Sequence, residues 1–183
     1  MTGPVRYCTR WNDLTRRPIA GYEWINESQA RDRFERNEFI DVVESSTIGS
    51  DGLVNPRWVM GIAGLRGVAG GARLEFHDGQ GSIWRAVDYQ IIRGRLFRSN
   101  VVDFVYLTDQ QRWEMSQATV GVEVTVDPDG TGTVERWEVN GDKQVTELTG
   151  LDVSAHWLDV PEFGDWDALA DPGPFASEVA EGA

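Results

Sequence analysis

The stretch "TVGVEVTVDPDGTGTVERWEVNGDKQVTELTG", Thr119 to Gly150, makes the plainest structural statement in the chain. Val120, Val122, Val124 and Val126 alternate with Gly121, Glu123 and Thr125. A period of two puts the valines on one face of a strand and the polar residues on the other. "DPDGTG" (127–132) reads as a turn and "TVERWEV" (133–139) as the return strand. Asn140-Gly141 reads as a two-residue hairpin turn with positive φ at both positions, and "DKQVTEL" (142–148) as the third strand. Strands joined by such short turns predict an antiparallel meander.

The pattern extends upstream. "FIDVVES" (39–45), "RWVMGIA" (57–63), "ARLEFH" (72–77), "SIWRAVDYQII" (82–92) and "VVDFVYL" (101–107) read as strands, with "RGRLFRSN" (93–100) turning the chain between the last two. On the long strand Ile83, Val87, Tyr89 and Ile91 share one face. Downstream, "VSAHWLDV" (153–160) reads as another strand and "FGDWDAL" (163–169) as a helical turn docked by Trp166. Helical signals are fewer. In "NESQARDRFERNEF" (26–39), Asn26 and Gln29 have the spacing of a capping box, and Ala30 and Phe34 form a narrow apolar stripe. "TDQQRWEMSQA" (108–118) reads as a short helix opened by Thr108. The fold class is therefore α+β: a single domain over 1–170, dominated by a twisted, mostly antiparallel sheet, with one N-terminal surface helix. Residues 171–183 read as an acidic, flexible tail.

Composition bounds the function. The chain has 183 residues, eight tryptophans and a formal charge of −13. Nucleic-acid binding needs a positive surface, so a cationic partner suits this field better. The acids crowd the C-terminal end, where no Lys or Arg follows Lys143. No apolar run reaches the length of a membrane span, no signal peptide is visible, and Cys8 is the single cysteine. The expectation is a soluble, cytoplasmic protein that does not engage membranes.

The glycine-rich stretch "GIAGLRGVAGGARLEF" (61–76) invites a phosphate-loop reading. A Walker A loop needs a lysine the stretch lacks, and a dinucleotide loop needs two glycines two apart followed by a helix. Both patterns fail. What remains is a connection between strands, or a protruding loop in which Gly64, Leu65, Arg66, Gly67 and Val68 insert into a protein partner. Leu65 and Val68 would supply apolar contact, and Arg66 a fork for a carboxylate. The two histidines, His77 and His156, have no spacing that marks a catalytic pair, and with one cysteine they do not compose a zinc site. Asp127, Asp129 and Thr131 imitate part of a calcium loop, but Glu138, at its twelfth position, falls in a strand. No cofactor or metal is implied, and no catalytic residue.

In acidity, size and the loop "GIAGLRGVAGG" between strands, the chain resembles bacterial toxin immunity proteins of the actinobacterial type, such as the immunity factor of an NAD-degrading toxin. The resemblance is one of overall profile, without a matching motif. It implies a non-catalytic protein that neutralises a cognate toxin by plugging its active-site cleft. Two other readings stand beside it. One is a ligand-binding or enzymatic α+β roll whose pocket is lined by Trp84 and Tyr89, with Asp103 as a general base. The other is a structural component of a phage or secretion assembly.

Overall fold

The computed structural model describes residues 4–49 and 51–173. Its centre is a run of eight strands in which each pairs antiparallel with its neighbour in sequence: β5 (Ile40–Glu44), β6 (Trp58–Ala63), β7 (Gly71–His77), β8 (Ile83–Ile92), β9 (Arg95–Val105), β10 (Val120–Val126), β11 (Gly132–Glu138) and β12 (Gln144–Leu148). β1 (Val5–Cys8) and β4 (Trp24–Ile25) extend the sheet past β5, and β13 (Trp157–Leu158) pairs with the start of β9. β2 (Trp11–Asn12) and β3 (Arg17–Pro18) form a separate hairpin. The sheet-dominated α+β architecture read from the sequence is what the chain adopts.

The helix α1 (Glu27–Glu35) begins where its capping box predicts. The Asn26 side chain accepts the Gln29 N–H at 2.9 Å, and the Gln29 side chain accepts the Asn26 N–H at 3.0 Å. Ala30 and Phe34 are its buried residues. They meet one face of the sheet through Ile40, Val42, Met60, Ile62, Leu74 and Val87. The same core takes in Phe163, Trp166 and Leu169 from residues 159–173, which run back over this face as a strap. Tyr7, Phe34, Phe163 and Trp166 form an aromatic cluster with ring centroids 5.3–5.8 Å apart.

Four local expectations need correction. Asn140 does have positive φ (65°), but Gly141 does not. The Gly141 N–H closes a turn on the Glu138 carbonyl at 3.0 Å, so Asn140 occupies the third position, where a type II turn requires positive φ. Residues 108–118 hold only a 3₁₀ turn, Met115–Gln117. Tertiary bonds pull the rest out of a helix: Trp113 donates its backbone N–H to Ser82 Oγ, and Arg112 donates to the Gly81 and Asp13 carbonyls. The strand expected over 153–160 shrinks to β13, because a 3₁₀ turn over Ser154–His156 precedes it, with Asp152 accepting the Ser154 N–H at 2.9 Å. Between β8 and β9 the chain turns on Arg93-Gly94 alone, both with positive φ, and residues 95–105 are one continuous strand. Of the tail expected over 171–183, residues 174–183 lie outside the described residues.

Candidate functional site

The other face of the sheet, covered by the β2–β3 hairpin at its β5–β6 end, carries a polar row. Asp41, Gly61, Arg73, Asp88, Asn100 and Thr125 stand opposite one another across β5 to β10. The parallel row two residues away contains Glu75, Ala86, Val102 and Glu123. Small residues leave a groove of about 800 Å³, walled by Phe39, Arg73, Asp88, Asn100 and Glu123 over Gly61. A side chain at Gly61 would lie 3.0 Å from Asp41 Oδ1 and 3.2 Å from the Phe39 ring, so glycine keeps this floor low.

The groove's side chains are held in place before any ligand arrives. Arg73 donates to Asp88 at 2.8 Å and to Glu75 at 3.1 Å. Burial alone would lower the Arg73 pKa, but Asp88 and Glu75 more than offset it and the group stays charged. Asn100 Nδ2 donates to Glu123 at 2.7 Å and to Thr125 at 3.1 Å, and Gln90 donates to Ser99 at 3.0 Å. Carboxylates outnumber the cation here, and each retains oxygen lone pairs free to accept.

A smaller hollow of about 280 Å³ continues past Phe39 to Asp41, Glu75 and Arg10. Asp41 is 6 % exposed and accepts the Trp11 backbone N–H at 2.6 Å. Burial pushes its carboxyl up to about 6; the Trp11 N–H and Arg10 oppose the rise, and Glu75 adds to it. The fold holds this proton more tightly than the unfolded chain, where the carboxyl titrates near 3.8. Asp41 therefore weighs against folding as the pH climbs through the window from about 4 to about 6. Asp41→Asn keeps an oxygen for the Trp11 N–H and carries no charge. It is expected to raise stability by about 2 kcal/mol near pH 7.5 and to leave it unchanged near pH 4. Urea unfolding at the two pH values checks this; equal effects at both would show that the carboxyl is not ionising in the fold.

The residues singled out in the glycine-rich loop are placed differently from a plug. Gly64 opens a turn with φ 67°, closed by the Gly67 N–H on its carbonyl at 2.9 Å. Leu65 is 3 % exposed and belongs to the main core, so it is not a surface contact. Arg66 is tethered: its backbone N–H goes to Asn37 Oδ1 at 2.7 Å and its guanidinium to Glu162 at 2.5 Å. Val68 protrudes, at 98 % exposed, and Arg66 is also exposed. The last glycine serves close approach, since a side chain at Gly71 would sit 2.1 Å from the Tyr89 carbonyl oxygen.

The other candidates are also fixed by tertiary partners. Asp103 grips Arg85 through two bonds of 2.5 and 2.7 Å and is buried. Tyr89 is packed in the core and lines the 800 Å³ groove, whereas Trp84 lines a separate hollow of about 450 Å³, so the two do not wall one pocket. His77 meets Asp13 at 2.7 Å, and Asp13 also binds Arg112 at 2.6 Å. This trio ties the β2–β3 hairpin to the sheet. His156 Nδ1 meets the Arg98 carbonyl at 2.8 Å and the ring stacks on Phe97, with burial lowering its pKa. Burial and nearby Asp41 push the Cys8 thiol up to about 12, far from a thiolate nucleophile. Among the described residues no group of three His, Cys, Asp or Glu is arranged to hold a metal ion, and no helix is long and apolar enough to cross a membrane.

The groove was not found from sequence, although its signal was present. Arg73 and Glu75, Asp88 and Gln90, and Glu123 and Thr125 are pairs at strand spacing, but only the strand register shows that they adjoin. Comparison with protein-family models, with curated proteins and with solved structures gives no match.

Proposed function

We propose that this is a non-catalytic binding protein that takes a cationic segment of a partner protein into the polar groove. In the immunity reading the partner is a toxin whose cleft is covered by the contact, and the protein works in the cytoplasm. The observation that carries the proposal is the groove itself: preset carboxylates of Asp88 and Glu123 over a glycine floor, with Asp127 on the same lining. The net charge of −13 favours the same partner at longer range. The groove, with Val68 as a minor contact, replaces the 64–68 loop as the principal surface.

The groove's size favours a second reading. Its volume of about 800 Å³ lies within the range of small-molecule sites, and a polar metabolite would satisfy the same side chains. One experiment separates the two. The wild-type chain and an Asp88→Asn, Glu123→Gln variant are used to capture partners from native lysate, and the bound protein is tested for toxicity when expressed alone. The expected result is a basic protein whose toxicity the wild type suppresses, with affinity about tenfold lower for each carboxylate neutralised. Capture that survives in the variant overturns the groove. A stoichiometric small molecule released from the denatured chain decides for the second reading.

A further inference from the structure

A second cavity lies at the N-terminal end and shares no lining residue with the groove. Arg6, Arg16, Arg17, Tyr22 and Trp24 border an open hollow of about 630 Å³, with the loop at Gly52–Val54 along one side. Three arginines converging in a chain of charge −13 run against the overall field. Glu23 on the same rim, and Asp51 paired with Arg16, are the carboxylates nearby.

The arginines are positioned. The Arg6 guanidinium lies over the Trp24 ring, 3.6 Å from its centroid. That stacking orients the planar fork and leaves its edges free to donate. Arg16 sits in the left-handed region with φ 51°, an unusual conformation for a side-chain-bearing residue, and its pairing with Asp51 spans from the hairpin to the loop beyond β5. Arg17, in β3, has no ion pair among the described residues and is exposed. Tyr22 is 50 % exposed, which leaves its ring available for a stacking partner.

We infer that this cavity binds a small phosphorylated ligand carrying a flat ring, of the mononucleotide class. Arg6 and Arg17 supply forked donors matched to phosphate oxygens, and Tyr22 supplies the stacking face. The site does not depend on the groove's role. A single nucleotide asks only for this local positive pocket, whereas a polymer would meet the repulsion of the whole surface.

The test is calorimetric titration of the full chain with ATP, AMP and inorganic tripolyphosphate at about 0.15 M salt. Saturable ATP binding is expected, weakened about tenfold or more by Arg17→Glu. Tyr22→Ala should weaken ATP and AMP by about tenfold and leave tripolyphosphate unaffected. Both side chains are exposed, so thermal unfolding of the variants should match wild type; an additional Arg6→Glu variant covers a loss of folding in either. Three results overturn the inference: no saturable binding of either nucleotide, nucleotide binding indifferent to both Arg17→Glu and Arg6→Glu, or tripolyphosphate bound as tightly as ATP.

Discussion

Asp103→Ala is expected to destabilise the fold by about 3–5 kcal/mol, because it leaves the Arg85 guanidinium buried without its bidentate carboxylate. Arg85 is fully buried near the start of β8. Its Nε and Nη2 bind Asp103 on β9, directly across the strand pair, at 2.5 and 2.7 Å. Its Nη1 reaches the carbonyls of Pro172 and Gly173 at 2.5 and 3.0 Å, which fastens the far end of the strap to the sheet. Losing the carboxylate costs more than the bond itself, since a desolvated cation remains. Urea unfolding reads the loss. A double variant, Arg85→Met with Asp103→Leu, should recover most of it, because replacing a whole buried ion pair by apolar groups is close to neutral. If the single variant unfolds at the wild-type midpoint, the pair carries no such weight.

Trp166→Ala is expected to cost a similar amount, about 3–5 kcal/mol, through a large cavity at the strap's anchor. Trp166 is 1 % exposed. Its ring meets Phe34 at 5.8 Å and 74° and Phe163 at 5.6 Å and 79°, the edge-to-face geometry that the aromatic quadrupole favours. The same side chain thus joins α1 to the strap, with Phe163 beside it on the same Phe34 ring. Near-ultraviolet circular dichroism should fade along with stability as the cluster loosens. Retained near-ultraviolet signal with a wild-type melting temperature would show that the strap is held elsewhere.

Much of this architecture is legible in the sequence where local rules suffice. The valine alternation at 120–126 places β10, and the Asn26–Gln29 spacing places the start of α1, because both signals are complete within a few residues. The burial of Trp166 is legible too, but the helical turn expected over 163–169 is only a pair of turns, the second closed by the Ala170 N–H on the Trp166 carbonyl at 2.9 Å. Reading fails where distant partners decide. Residues 108–118 have helical composition, yet Arg112 and Trp113 are claimed by Asp13 and Ser82. Leu65 looks like a loop-tip residue until the loop folds back over the core. Asp103 looks like a free carboxylate until Arg85, eighteen residues away, appears opposite it. The groove fails for the same reason, since its walls come from five strands whose register no single segment contains.

The strap also dictates the order in which the molecule can be finished. Every strand from β5 to β12 finds its partner in the strand just before or just after it, so these ladders can zip together while the chain is still emerging from the ribosome. The apolar face they create has no lid of its own. α1 arrives early, but Phe163, Trp166 and Leu169 are synthesised more than a hundred residues later. Until those residues emerge, the nascent sheet carries a hydrophobic surface covered by α1 alone, the kind of intermediate that chaperones recognise and that aggregates when left alone. Closure of the core therefore waits for Phe163–Leu169, so a chain cut between Leu148 and Phe163 has its hairpins paired and its core open.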